Sequence, residues 1–390
     1  MERKALTGNE AVAYAMKQIN PDVVAAYPIT PQTSLMQSFA NYVADGVVDS
    51  ELILVESEHS AMSACVGAAA AGARVMTATS ANGLALMWEI LYIAASTRLP
   101  IVMPVVNRAL SAPINILCDH SDTMGARDSG WIQLFSENGQ EAYDNVIQAI
   151  RIAEHPEVLT PVMITLDGFI ISHGLGVVDV CDDDRVRDFI GEYKAAYTLL
   201  DPEHPITFGP IDFSDFYFEH KRDQVTGIDK SIEVIPEVGR EFGELFGREY
   251  GLIEPYKLDD AEAAVVALGS TAGTVKSVVD SLREDGLKVG LLKIRSFRPF
   301  PSALIADVLK DIKAVAVMDR SISFGAGSGP LFIEIRSALY GLDLSITDYI
   351  YGLGGRNITL EEIERVFKET LDVAKTGKVE SPVTYLGVRE

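Results

Sequence analysis

At 390 residues, with 48% hydrophobic and 23% charged residues, the chain is long enough for two to three globular domains and too apolar for a disordered polymer. A formal net charge of −23 and the lack of any Lys/Arg run exclude a nucleic-acid backbone as partner, because phosphate binding needs a basic face. The acidity names no partner of its own and fits plain solubility.

The chain opens on Met1-Glu2-Arg3-Lys4 with no apolar leader, and no later stretch reaches the roughly 18 apolar residues of a membrane span, so the expected location is the cytoplasm, without a membrane partner. Thr7-Gly8-Asn9-Glu10 reads as a capping box for a helix over 11–18. Apolar runs then predict strands at 22–26, 52–55, 74–79, 100–106 and 161–166, with helices at 32–43, 59–71, 84–96 and 140–153 between most of them. Alternating elements with strands apolar on both faces predict an α/β domain over 1–180, built on a parallel sheet covered on both sides. From 181 to 255 the texture changes to acidic clusters, prolines and the aromatic run Asp212-Phe213-Ser214-Asp215-Phe216-Tyr217-Phe218, which has no clean period. This segment reads as an ordered connection or a subunit-contact arm closed by a helix over 232–246. A second α/β pattern fills 256–390, with strands at 263–268, 288–294, 314–318 and 345–350 and helices at 274–283, 302–311, 329–340 and 359–374.

Two strand-end motifs stand out. Tyr27-Pro28-Ile29-Thr30-Pro31 follows the first apolar strand, and its prolines hold the Thr30 hydroxyl rigidly at the carboxyl edge, where open α/β sheets bind ligands. Glu56-Ser57-Glu58-His59-Ser60-Ala61 follows the next strand, so the two motifs suggest one site. Glu58 reads equally as a helix-start carboxylate or a functional one, and Glu56 competes with it. Arg108 follows the strand 100–106 onto the same edge, suited either to a substrate carboxylate or to a structural ion pair. The glycine-rich turns at 269–273 and 323–329 read as tight turns before helices rather than phosphate cradles, since neither is a Walker A motif or a full dinucleotide fingerprint. Cys118-Asp119-His120-Ser121-Asp122 reads as loop structure or subunit contact ahead of a metal site. Cys65, Cys118 and Cys181 are far apart with no C-x-x-C, against a self-contained metal or iron–sulfur centre and against a disulfide framework.

With these motifs in order, the chain resembles the α subunits of 2-oxoacid:ferredoxin oxidoreductases, pyruvate:ferredoxin oxidoreductase (pyruvate synthase) above all. The likeness continues through Ala78-Thr-Ser-Ala-Asn-Gly-Leu-Ala-Leu-Met, Arg127-Asp-Ser-Gly-Trp-Ile-Gln, Arg298-Pro-Phe-Pro and Gly352-Leu-Gly-Gly-Arg, nearly the whole chain. The resemblance implies a pyrimidine-type thiamine diphosphate-binding domain followed by a transketolase C-terminal-like domain. It further implies conversion of pyruvate, coenzyme A and oxidised ferredoxin to acetyl-CoA, CO2 and reduced ferredoxin, reversibly. Glu58 then resembles the glutamate on the aminopyrimidine N1′, Tyr27, Pro28 and Ile29 the neighbouring cofactor wall, and Thr30 with Arg108 the pair that binds the 2-oxoacid. Thiamine diphosphate is expected to be shared with a β subunit that brings Mg2+, while a δ subunit carries [4Fe-4S] clusters and a γ subunit completes the complex. Alternatives are the same chemistry on a branched-chain 2-oxoacid or phenylglyoxylate, or a non-catalytic scaffold subunit, which the intact Thr30, Glu58 and Arg108 set disfavours.

Overall fold

The computed structural model describes residues 2–389. The first half runs β1 (Glu2–Thr7), α1 (Gly8–Ile19), β2 (Val23–Ala26), α2 (Thr33–Ala44), β3 (Glu51–Leu54), α3 (Glu58–Ala70), β4 (Val75–Met76), α4 (Ala81–Leu86), α5 (Trp88–Ser96), β5 (Val102–Asn107), α6 (Ser121–Gly125), β6 (Ile132–Phe135), α7 (Gly139–Glu154), β7 (Val162–Asp167) and β8 (Leu175–Val180). Then come α8 (Asp183–Ile190), α9 (Tyr217–Phe246), β9 (Ile253–Tyr256), β10 (Ala263–Ala267), α10 (Thr271–Glu284), β11 (Val289–Ile294), β12 (Ser296–Arg298), α11 (Ser302–Leu309), β13 (Ala314–Asp319), α12 (Pro330–Ala338), β14 (Ser345–Ile350), α13 (Leu360–Thr376) and β15 (Val383–Tyr385).

The first sheet has the order β12-β6-β7-β5-β4-β2-β3 and the second β15-β14-β13-β10-β11-β9. Within the first sheet all pairs are parallel except β12 with β6, and within the second all are parallel except β11 with β9. Every residue of β5 and β7 is buried, as central strands covered on both faces require. In the first sheet β2 lies between β3 and β4, so the chain reverses its direction of travel there and opens a crevice beyond the strand ends. Among the described residues no helix is long and apolar enough to cross a membrane.

Several elements differ from the pattern in the sequence. The helix expected over 84–96 is two, α4 and α5, parted at Met87, whose N–H reaches the carbonyls of both Gly83 and Leu84 in a tightened turn. The helix expected over 232–246 begins earlier, at Tyr217, inside the aromatic run. Its first turns are exposed from Tyr217 to His220, so no apolar stripe marks them; the stripe starts only at Gly227 and continues through Ser231, Val234, Val238 and Phe242. The antiparallel ribbon of β1 and β8 carries too few buried residues to read as apolar strands.

The two halves interlock. β12, from the second half, closes the edge of the first sheet by pairing Ser296 with Leu134. Helix α7 turns buried polar groups toward the second half: Asp144 binds Arg248 at 2.7 Å, and Asn145 Oδ1 accepts from Arg295 Nε at 2.9 Å. Lys293 Nζ lies among Glu137, Glu141 and Glu254, 2.7 Å from Glu137 and 2.9 Å from Glu254. Each of these buried charges therefore has a hydrogen-bond partner across the interface, as its desolvation demands.

Candidate active site

The turn after β2 is fixed from within. Gln32, fully buried, donates through Nε2 to the Ala78 carbonyl at 2.8 Å and accepts from the Ile29 N–H at 3.3 Å. Asn9, at the start of α1, donates to the Pro31 carbonyl at 2.8 Å. Between these anchors Thr30 is exposed, Pro28 is exposed, and Tyr27 and Ile29 are half-buried. The Thr30 carbonyl accepts Arg108 Nη1 at 3.0 Å and the Ser80 hydroxyl at 3.4 Å. Thr30 and Arg108 are thus in direct contact, through the threonine backbone.

Glu58 opens α3, but it does not cap it. Ser57, extended at φ −161°, accepts the Ser60 N–H at 3.2 Å and fills that role. Glu58 is 6% exposed, and its carboxylate meets no hydrogen-bond donor among the described residues. It faces Gly83 of α4, where a Cβ would come within 2.7 Å of Glu58 Oε1 and 2.6 Å of the Thr79 hydroxyl. Thr79 Oγ1 is itself buried without a hydrogen-bond partner among the described residues. Glu56, by contrast, is exposed and occupied: the Ser60 hydroxyl donates to it at 2.6 Å and holds its carboxyl below the ordinary value.

Residues 79–83 join these groups, since Thr79 and Gly83 lie at Glu58 while Ser80 reaches Thr30. The carboxylate of Asp122 ties the same turn to Arg108. Its Oδ2 accepts the N–H of Ala81 and of Arg108, each at 3.0 Å, and its Oδ1 accepts Asn107 Nδ2 and its neighbour Thr123 N–H, each at 2.8 Å. Burial pushes the Asp122 carboxyl up to about 6 against the pull of those donors. Asp122 was visible in sequence only as the last member of the Cys118–Asp122 cluster; nothing local showed that it would hold two separate strand-end loops.

The rest of that cluster serves the interface between the halves. His120 Nε2 lies 2.8 Å from Asp167 Oδ1, and Asp167 Oδ2 accepts from Arg320 Nη1 at 2.9 Å and from the Ser270 N–H at 3.1 Å. Asp167 therefore occupies the N-terminus of α10, at the first glycine-rich turn. At the second turn, Asp348 accepts the Gly329 N–H at 2.7 Å, and Asp319 accepts Leu331 and Phe332 at 3.0 and 2.8 Å.

Comparison with known proteins agrees with this architecture. The model for "Pyruvate flavodoxin/ferredoxin oxidoreductase, thiamine diP-bdg" matches residues 14–240, and that for "Pyruvate:ferredoxin oxidoreductase core domain II" matches 261–363. The chain is 59% identical to pyruvate synthase subunit PorA of Thermotoga maritima over 100% of this chain and 99% of the relative. It is 44% identical to ketoisovalerate oxidoreductase subunit VorA of Pyrococcus horikoshii, covering 98% of this chain and 97% of that one. Among solved structures, the 2-oxoglutarate:ferredoxin oxidoreductase of Magnetococcus marinus shares the fold with a TM-score of 0.74 at 22% identity, covering 95% of this chain and 65% of that chain.

Proposed function

Since the chain belongs to the pyruvate:ferredoxin oxidoreductase family, with its thiamine diphosphate-binding domain, we propose that it is the α subunit of an enzyme that oxidatively decarboxylates pyruvate. The products are acetyl-CoA, CO2 and reduced ferredoxin. The observation that carries the reading is the meeting of Thr30 and Arg108 at one sheet edge, joined through residues 79–83 to the buried carboxylate of Glu58.

The residues fit the aminopyrimidine end of thiamine diphosphate. Glu58 is a buried carboxyl group with no hydrogen-bond partner among the described residues, and Gly83 leaves beside it the space that a Cβ would fill. When bound, the cofactor supplies the nucleophilic carbon and the electron sink for decarboxylation. Glu58 would hold the aminopyrimidine end through its carboxyl group and serve as the proton-carrying side chain there, while Tyr27, Pro28 and Ile29 would wall the ring. Arg108, with Nε and Nη1 anchored on carbonyls, turns its guanidinium to the 2-oxoacid carboxylate, and the Thr30 hydroxyl donates to the 2-oxo oxygen. Holding the substrate by its carboxylate and oxo groups fixes the carbon to be attacked, which is where binding geometry lowers a barrier.

Relatives named as subunits support a multisubunit assembly. In this reading a β subunit completes the cofactor site with its diphosphate anchor and Mg2+, a δ subunit carries [4Fe-4S] clusters, a γ subunit completes the complex, and the whole works in the cytoplasm. Assaying the assembled complex with a panel of 2-oxoacids, coenzyme A and a viologen dye tests it. Pyruvate is expected to give the highest kcat/KM; a higher value for 2-oxoisovalerate or phenylglyoxylate overturns the substrate assignment, and no turnover with any of them returns the chain to a scaffold.

A further inference from the structure

The segment Gly352-Leu353-Gly354-Gly355-Arg356 lies in the second half, just beyond β14, yet it docks on the loop that follows Arg108 in the first. Gly352, Gly354 and Gly355 all have positive φ, at 64°, 59° and 79°. Each is also pressed against a neighbour. A Cβ on Gly354 would come within 2.4 Å of Asn115 Nδ2, and one on Gly355 within 2.3 Å of Leu117 Cβ. Only glycine meets both demands at these positions.

The docking is polar and reciprocal. Asn115 Nδ2 donates to the Gly354 carbonyl at 3.0 Å, and the Gly354 N–H donates to Asp119 Oδ2 at 3.1 Å. Asn115 in turn folds its own loop, its Oδ1 accepting the Leu117 N–H at 2.7 Å. The Leu117 carbonyl accepts the Ala109 N–H at 3.0 Å, which closes the loop onto the residue after Arg108. The Asn115 carbonyl then accepts Arg108 Nε at 2.9 Å, and Arg108 Nη1 reaches Thr30. Residues 111–114 and 116–117 of this loop are exposed, and the first half holds its start through Ser111, whose N–H and hydroxyl reach Asn82 Oδ1 at 3.4 and 3.3 Å, while the Asn115–Leu117 end rests on the second half. An arginine head is fixed by the acceptors around it; here one of two is a carbonyl on a loop held from the other half of the chain.

We infer that the triple-glycine segment is a clamp that sets the Arg108 guanidinium for the 2-oxoacid carboxylate, with Asn115 the positioning residue between the two halves. The inference rests on Arg108 as the carboxylate-binding group, and it adds that substrate affinity is controlled from the second half of the chain.

The test uses the assembled complex with Asn115→Ala, Gly354→Ala, Arg108→Ala and the double variant Arg108→Ala/Asn115→Ala. Asn115→Ala and Gly354→Ala are each expected to raise the KM for pyruvate about tenfold, the scale of a small displacement of a positioning group. kcat at saturating pyruvate and the KM for coenzyme A should stay within about twofold. In the Arg108→Ala background the Asn115 change should add nothing further, since the group it positions is gone. Hydrogen exchange at the Leu117 and Ala109 amides should quicken in Asn115→Ala, with the global thermal transition unchanged. An unaltered pyruvate KM in both single variants, while Arg108→Ala raises it, overturns the clamp and leaves Arg108 in its role. A further loss in the double variant beyond Arg108→Ala also overturns it. An unaltered KM in Arg108→Ala removes the premise itself, and the two failures are told apart by that control.

Discussion

Both sheets end in the same way, with loops and helix N-termini gathered at the carboxyl edge, yet the two edges are put to different uses. On the second sheet, the N–H groups opening α10 and α12 are taken by the chain's own carboxylates, Asp167 for the first, Asp319 and Asp348 for the second. On the first sheet the carboxylate at the corresponding kind of position, Glu58, is buried and, among the described residues, meets no donor, and the Thr79 hydroxyl beside it is likewise unpartnered among them. An N-terminus satisfied by the protein cements the fold, whereas buried polar groups left open are costly unless a ligand meets them. The comparison teaches that α/β topology offers candidate edges, and the internal carboxylates settle which of them stays available.

The largest expected effect lies on the open edge. Glu58→Gln should slow exchange of the thiazolium C2 proton of bound thiamine diphosphate by about 10²–10⁴-fold, the usual range for general acid–base groups, while Glu56→Gln changes it little. Proton exchange followed by NMR on the assembled complex reads both, and a crippling Glu56 change with a mild Glu58 change would reverse the assignment.

On the cemented edge the loss should appear in stability. Asp167→Ala strands Arg320, which is 4% exposed, without its carboxylate, and should cost about 3–5 kcal/mol. Burial acts to raise the Asp167 carboxyl, but His120, Arg320 and Ser270 together hold it well below the usual carboxylate range. The native chain therefore gains from this group at pH above about 4 and loses that gain as the pH falls toward the lowered value. Chemical denaturation of variant and parent should accordingly converge in strong acid; a constant gap from pH 7 down to pH 2 contradicts the ion-pair account.

The smallest effect, opposite in sign, belongs to Asp348. Burial pushes its carboxyl up to about 6, and the adjacent Asp319 is also raised, by burial and by the charge of Asp348. The folded chain thus keeps a proton that the unfolded chain releases near pH 4, and stability from this group falls as the pH rises from about 4 to 6. Asp348→Asn can still accept the Gly329 N–H and can donate to Asp319 without titrating. Relative to the parent it should gain on the order of 2 kcal/mol between pH 4 and 7, read by denaturant midpoints across that range. No relative gain would mean that the pair carries its charges in the fold.

Much of the open edge was legible in the sequence. Thr30, Glu58 and Arg108 each lie within four residues of the end of an apolar strand, and a residue so close to the end of a parallel strand has its position at the sheet edge fixed locally, by prolines at 28 and 31 in the first case and by the start of a helix in the second. What could not be read were partners brought from afar. Asp122 looked like one more loop carboxylate, because the Ala81 and Arg108 amides it holds belong to other loops. The exposed first turns of α9 left no stripe, and β12 gave no sign that it crosses to the first sheet.

The sequence by itself determined the alternation of strands and helices, the two α/β patterns and the motifs at the strand ends, because hydrophobic period and proline or glycine punctuation act over a few residues. Tertiary structure alone decided that a glycine segment near residue 354 meets Asn115, that Asp167 fills the start of α10, and that Glu58 meets no donor among the described residues. These are contacts between residues far apart in the chain, and the hydrogen-bonding capacity of a side chain says nothing of which distant group will meet it until packing has brought the two together.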